Sequence, residues 1–313
     1  MSAALELRGV EVAYRREGLP VHAVAGVDLV VAPGSVVGLV GESGCGKSSL
    51  ARAAVGLVAP SAGEVLLGGE PVLPLRRRAR PVGQRRLQLV FQDPYASLNP
   101  RRRAGRQLAD AVRIATGAEA GPKRAGELLE LVGLDPAMAT RYPHELSGGQ
   151  RQRVAIARAL AAEPVQLVAD EPISALDASA QAQIAQLFVR LARELGIGVL
   201  FISHDLAIVR EIADRVAVMY LGRIVEIGRT ADVWASPQHP YTRALIEAVP
   251  LADGAGRLPV DLPGDVPDPA APPSGCRFHP RCPLAEPRCA VEDPRLLDLA
   301  PDRAAACVLL EHD

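Results

Sequence analysis

The chain has 313 residues, 36 acidic against 35 basic side chains, a formal net charge of −1 and an aromatic content of 3%. That length builds one large domain or two smaller ones around a substantial core. The near-zero charge and scarce rings argue against a nucleic-acid partner. No apolar run reaches the ~18 residues of a membrane span, and MSAALELRGV lacks the basic and apolar regions of a secretion signal, so a cytoplasmic location is expected.

Residues 1 to about 34 read as short strands with turns, LELRGVEVAY and then AVAGVDLVVAPG. Tyr14 closes the first of them. Its ring would stack on a nucleotide base or sit half-buried in the strand, and spacing does not decide between the two. An apolar run, Ser35 to Val40, then leads into Gly41-Glu-Ser-Gly-Cys-Gly-Lys-Ser-Ser49, which fits G-x-x-x-x-G-K-[ST]. A helix-like KSSLARAAVGL follows, so the motif has the strand–loop–helix context it requires. Glycines let the backbone curl around an anion, and the loop amides and helix N-terminus face the phosphates. Lys47 adds a point charge near the β and γ phosphates, and Ser48 offers a hydroxyl to magnesium. Lys47 is also conspicuous because the chain's only other lysine is Lys123.

SAGEVLLGGEPV predicts a turn and a short strand, and RRRARPVGQRR predicts a solvated basic face. Leu87 to Phe91 reads as a buried strand ending in Gln92, followed by a loop, DPYASLNP. Residues 101 to about 162 are mostly helical by apolar spacing, with Ser147 placed to cap the helix of RQRVAIARALAAE. PVQLVADEP is a buried strand ending in Asp170 and Glu171, where an ATPase with such a phosphate loop holds magnesium. SALD, a helix and a second buried strand, IGVLFIS, bring the chain to His204, and DRVAVMYLGRIVEIG predicts a strand pair turning at Leu221-Gly222. From about residue 250 a proline-rich stretch without periodicity reads as a linker or surface wrap.

In order, the chain carries a phosphate loop, Gln92, LSGGQ at Leu146 to Gln150, the acidic strand end, SALD and His204. Over residues 5 to about 250 it resembles the ATP-binding subunits of ABC transporters. FQDPYASLNPR, RYPHELSGGQRQRVAIARAL, SALDASAQAQI, SPQHPYTRAL and GCRFHPRCP narrow the resemblance to the dipeptide/oligopeptide import branch, and the first of these looks more like the second ATPase subunit of such importers.

The resemblance implies an α/β P-loop ABC ATPase core with an antiparallel β subdomain and a helical subdomain at about 94–162. Residues 1–250 would form the nucleotide-binding domain, and 251–313 a proline-rich linker and cysteine-containing extension. It implies an ATP site of Tyr14, Gly41, Ser43, Gly44, Cys45, Gly46, Lys47, Ser48 and Ser49, although the thiol of Cys45 itself reads as a small group filling a turn. Glu171 would be the general base, His204 would hold the γ-phosphate, and Gln92 would join Ser48 and Asp170 on magnesium and touch the membrane subunit's coupling helix. Ser147, Gly148, Gly149 and Gln150 would meet the ATP of a partner subunit, with Asp177 linking the two sites. Two departures are Ile173, where the family has a small hydroxyl residue, and Gln166, a polar group early in the acidic strand; neither removes a catalytic group.

The implied partners are a second ATPase subunit in a heterodimer, two transmembrane permeases and, indirectly, an extracytoplasmic binding protein. The chain would then lie on the inner face of the cell membrane. Import of nickel, glutathione or another small solute is the alternative within the family. A soluble ABC ATPase in translation or DNA repair is a more distant one, since such proteins carry two ATPase units, coiled coils or basic arms.

Cys276, Cys282, Cys289 and Cys307 are separated by five, six and seventeen residues. This is neither the usual zinc spacing nor the short ferredoxin run. Clustering in a cytosolic chain points to metal before disulfides, and a thiolate-bound centre would fold a segment with little core of its own. Resemblance to importers with a GCRFHPRCP-type tail implies a [4Fe–4S] cluster; zinc or free thiols are the other readings.

Overall fold

The computed structural model describes residues 3–16, 19–75, 80–117, 121–249 and 264–310. The chain opens on two long antiparallel strands, β1 (Leu5–Arg16) and β2 (Leu19–Val31), rather than on several short ones, and Tyr14 lies within β1. The reason is a bulge. Gly9, at φ +55, absorbs a register shift, so Leu5 and Leu7 before it and Val10 and Val12 after it all face the core. The stretch read as the first short strand, closed by Tyr14, is thus one bulged strand that runs on to Arg16.

β3 (Val36–Val40) is buried throughout and leads through the phosphate loop into α1 (Lys47–Ala54). β4 (Ala62–Leu67) and β5 (Glu70–Pro71) follow, the strand and turn expected. The arginine-rich stretch holds a short helix, α2 (Val82–Arg85), and residues 76–79 of it lie outside the described part. Its described arginines do more than coat a surface: Arg80 Nη2 donates to Val55 O at 2.6 Å, and Arg85 Nε to Arg80 O at 2.9 Å. β6 (Leu87–Val90) is an edge strand, so it is only partly buried and Phe91 beyond it is exposed. The expected loop after it contains a helical turn, α3 (Pro94–Ser97), because Asp93 accepts from Tyr95 N at 2.7 Å and proline occupies its first position.

The helical stretch comprises α4 (Ala104–Thr116), α5 (Pro122–Leu131) and α6 (Gly148–Leu160), packed through Leu108, Leu128, Leu129 and Val154. β7 (Gln166–Asp170), α7 (Ala178–Leu195), β8 (Gly198–Ser203) and α8 (Leu206–Ile212) complete the alternating pattern. β9 (Arg215–Tyr220) and β10 (Arg223–Arg229) turn at Leu221-Gly222, both at positive φ, as a tight hairpin requires. α9 (Thr230–Ala235) and α10 (Pro240–Glu247) follow. In the tail, β11 (Leu297–Ala300) and β12 (Arg303–Ala305) form a hairpin.

Two sheets result. One has four antiparallel strands in the order β2-β1-β4-β5; the other has eight, β11-β12-β10-β9-β3-β8-β7-β6, parallel from β9 to β6. β12 pairs with β10, so the cysteine-bearing tail extends the main sheet. Val36 and Val40 of β3 face a core shared with the helices, whereas Val37 and Leu39 face one shared with α1 and the four-stranded sheet. The phosphate loop therefore leaves the end of an inner strand buried on both faces.

Gln166, the polar departure in the acidic strand, is fully buried and joins the layers: its Nε2 donates to Ala3 O at 2.8 Å and Val31 O at 3.1 Å. Its Oε1 has no partner. Replacing Gln166 with leucine removes the donor shared by two carbonyls, that of Val31 fully buried, and is expected to lower stability by about 1–3 kcal/mol. The check is a lower urea midpoint at unchanged slope.

Candidate active site

Tertiary packing dictates the loop's glycines. Gly41 (φ +156) lies so close to β9 that a Cβ would sit 2.1 Å from Met219 O; at Gly46 (φ +109) it would sit 2.0 Å from Ala23 O. Gly44 has positive φ but faces open space. Gly46 caps α1 without a side chain, which leaves the helix's first amides to an anion. Lys47 is buried and folds back on the loop, its Nζ donating to Gly41 O at 2.7 Å and Glu42 O at 2.8 Å. Cys45 is buried in the turn, and burial raises its thiol above the ordinary range. Ser43 is exposed, and Ser48 and Ser49 are half-buried.

β7 delivers the carboxylates. Ser48 Oγ donates to Asp170 Oδ1 at 2.9 Å, joining residues 122 apart. Burial, with a smaller push from Glu171, raises the Asp170 carboxyl above the usual range, while the Ser48 bond opposes this. A divalent cation beside this pair would reverse the penalty. Glu171 has a left-handed backbone, φ +46, uncommon for a residue with a side chain. Its Oε2 accepts from Gln92 Nε2 at 3.2 Å and lies 3.4 Å from His204 Nδ1. Gln92 follows β6 and His204 follows β8, so three adjacent strand ends converge on one carboxylate. Gln92 also donates to Ser174 Oγ at 3.3 Å, a contact that the sequence reading did not anticipate.

Ser147 caps α6 as expected. Its Oγ accepts from Gln150 N at 3.3 Å, and Gln150 Oε1 accepts from Ser147 N at 3.0 Å, a reciprocal box. Asp177 caps α7 through Ala180 N at 2.9 Å. Cβ atoms on Gly148 and Gly149 would lie 3.3 Å from Leu176 Cδ2 and 3.4 Å from Ala180 Cβ, so glycines let the two helix starts meet. Ser147 to Gln150 and Asp177 line one surface cleft, to which no phosphate-loop residue contributes. Tyr14 stands on β1 with 39% of its surface exposed.

The tail cysteines are free thiols. Despite their irregular spacing, Cys276, Cys282, Cys289 and Cys307 line one small apolar pocket with Phe278 and Val308. Burial pushes the Cys276 thiol up to about 11 and raises those of Cys282 and Cys307. Among the described residues no three His, Cys, Asp or Glu are arranged to hold a metal ion, so the iron–sulfur expectation finds no metal-holding group here. Phe278 packs on Tyr220 and Tyr241, each with ring centroids 5.3 Å away. Arg281 reaches Glu42 of the phosphate loop. The sequence offered no signal for that link, because the two residues are 239 positions apart.

Comparison with known proteins agrees with this geometry. The family model of ABC transporters matches residues 24–174, and that of the oligopeptide/dipeptide transporter C-terminal region matches residues 225–289. A probable peptide ABC transporter ATP-binding protein of Sinorhizobium fredii is 50% identical over 302 residues, covering 95% of this chain and 86% of its own length. An oligopeptide transport ATP-binding protein of Bacillus subtilis is 44% identical, covering 97% of both chains. Among solved structures, a dimeric ATP-binding cassette in a post-hydrolysis state, bound to ADP and Pi, superposes with a TM-score of 0.63 at 30% identity; the match covers 72% of this chain and 98% of that one.

Proposed function

Because this chain belongs to the ATP-binding subunits of ABC transporters, we propose that it is the ATP-hydrolysing subunit of an importer of di- or oligopeptides. The observation that carries the hydrolytic part is the placement of Glu171 under Gln92 and His204, beside the Ser48–Asp170 pair at the phosphate loop. The peptide class is supported by the match to the peptide-transporter C-terminal region and by the relatives' names.

The loop amides, Lys47 and the start of α1 bind the triphosphate, and Tyr14 offers its exposed ring to the base. Ser48 and Asp170 would hold Mg²⁺, with the amide oxygen of Gln92 as a third ligand. The ion supplies charge neutralisation to the phosphates. Glu171 accepts the proton of the attacking water as its oxygen bonds to the γ-phosphorus and the bond to the β-phosphate oxygen breaks, yielding ADP and phosphate. His204 orients the γ-phosphate and that water. The Ser147–Gln150 cleft meets the nucleotide of a second ATPase subunit, the two chains forming a heterodimer, and Asp177 relates the sites.

Phe91, Leu57, Leu75 and Ile114 are exposed around an apolar groove adjoining Gln92. Such a groove suits a cytoplasmic helix of one of the two permeases, the second permease being taken by the partner ATPase subunit. The permeases hold the chain to the inner face of the membrane and take peptide from an extracytoplasmic binding protein. No helix among the described residues is long and apolar enough to cross a membrane itself. Ile114→Asp should reduce recovery of the permeases with the tagged chain by about tenfold or more while MgATP binding persists. Equal recovery would move the docking site elsewhere. The function is tested in vesicles carrying the whole transporter: peptide-loaded binding protein should stimulate ATP hydrolysis and peptide uptake together, and stimulation only by another solute overturns the peptide assignment.

The four tail thiols are assigned to a [4Fe–4S] cluster, a reading supported by their convergence on one pocket. A four-iron cluster spaces its cysteines more widely than a single ion does. It would bind thiolates that burial otherwise disfavours and would tie together a segment with little core of its own. Protein purified without oxygen should hold about four irons and four sulfides per chain, lost in Cys282→Ser. One zinc without sulfide, or no metal, overturns this assignment.

A further inference from the structure

The geometry points to Arg281 as a positioning residue of the ATP site, acting through Glu42 of the phosphate loop. Its guanidinium grips the Glu42 carboxylate with two bonds, Nη1 to Oε2 at 2.8 Å and Nη2 to Oε1 at 3.0 Å, and Nη1 lies 3.4 Å from the Tyr220 hydroxyl. The Arg281 side chain is 4% exposed and that of Glu42 22%, so solvent screens the pair little. A bidentate fork sets direction as well as distance.

The backbone of Glu42 is held as well. Its N–H donates to the Tyr241 hydroxyl at 3.0 Å, and its carbonyl accepts from Lys47 Nζ at 2.8 Å. Glu42 is thus held at its side chain, its N–H and its carbonyl, two of these by the C-terminal third of the chain. Phe278, three residues before Arg281, is locked against Tyr220 and Tyr241, whose own ring centroids are 4.6 Å apart. Cys282 follows Arg281 directly. The segment that carries the thiol pocket therefore also carries the cation that neutralises a carboxylate inside the phosphate loop. Left bare, that carboxylate would repel the triphosphate settling on the same loop. The tail is thereby part of the ATP site, and anything that unseats it releases Glu42.

The inference rests on the loop's being the ATP site and is independent of the solute transported. It is tested on the full-length chain by MgATP titration. Arg281→Met should raise Kd about tenfold, the scale of one lost charge-assisted contact. Adding Glu42→Gln to that variant should bring Kd back to within about threefold of the wild type, since the uncompensated charge is gone. An arginine that only held the tail in place would move the melting temperature and leave the double variant as weak as the single one. That result, or an unchanged Kd in Arg281→Met, overturns the proposal. Should Arg281→Met fail to fold, Arg281→Gln removes the charge and keeps a polar side chain in its place. A Kd raised in Arg281→Gln and restored by adding Glu42→Gln supports the role, and an unchanged Kd removes it. A wild-type chain that binds no MgATP would sink the ATP-site reading itself.

Discussion

Glu171→Gln lowers steady-state phosphate release by the assembled transporter by about 10²–10⁴-fold while MgATP affinity stays near the wild-type value. The substitution keeps the size of the side chain and an oxygen to accept from Gln92, whose Nε2 lies 3.2 Å from Glu171 Oε2. It removes only the capacity to take a proton from water. Because the carboxylate sits at the end of β7 beside the Ser48–Asp170 pair and not within the phosphate loop, binding and chemistry separate at this residue. His204→Ala should also slow hydrolysis, by less, since in the proposed mechanism His204 orients groups without accepting the proton. Glu171→Gln hydrolysing at the wild-type rate would move the base to another group, with His204, 3.4 Å from Glu171, first in line.

Gly46→Ala abolishes productive closure of the phosphate loop. Two costs add at one atom. An L-residue at φ +109 is strained by about 1–3 kcal/mol. Its Cβ would also stand 2.0 Å from Ala23 O, a backbone atom of β2 with no rotamer to give way, and overpacking of that kind costs about 1–3 kcal/mol more. The strand or the loop has to move, and either movement displaces the amides that receive the phosphates. A loss of about 2–6 kcal/mol, at least about thirtyfold in MgATP affinity, is expected. Gly44→Ala is the control: Gly44 shares the positive φ, but its Cβ would meet nothing within 4 Å, so only the backbone term of about 1 kcal/mol applies. Equal effects at the two positions would show that backbone strain alone governs the loop.

The structural features of the proposed ATP site were legible because each is a local requirement written into neighbouring residues. Gly41 and Gly46 bracket a turn, Lys47 opens a helix, Ser147 and Gln150 form a box three residues apart, and Asp177 caps the helix that follows it. The alternation of buried strands and helices likewise marks an α/β core by periodicity alone. Periodicity misled where the backbone changed phase: the bulge at Gly9 puts Val10 and Val12 on the same face as Leu5 and Leu7, which strict alternation along LELRGVEVAY does not give. It also misled where a cap outweighed turn chemistry, as at Asp93, whose carboxylate starts a helix inside an apparent loop.

What the tertiary structure alone decided are the meetings between residues far apart in the chain. Gln92 and Glu171 are 79 residues apart and meet because β6 and β7 are neighbours in the sheet. Four cysteines with unhelpful spacing share one pocket because the tail folds its sulfurs inward and hangs its hairpin on β10. Arg281 neutralises Glu42 across 239 residues. Local sequence encodes elements and their ends, since those depend on contacts a few residues long. Strand order and the docking of a tail depend on which buried faces fit together, and only the folded chain settles that.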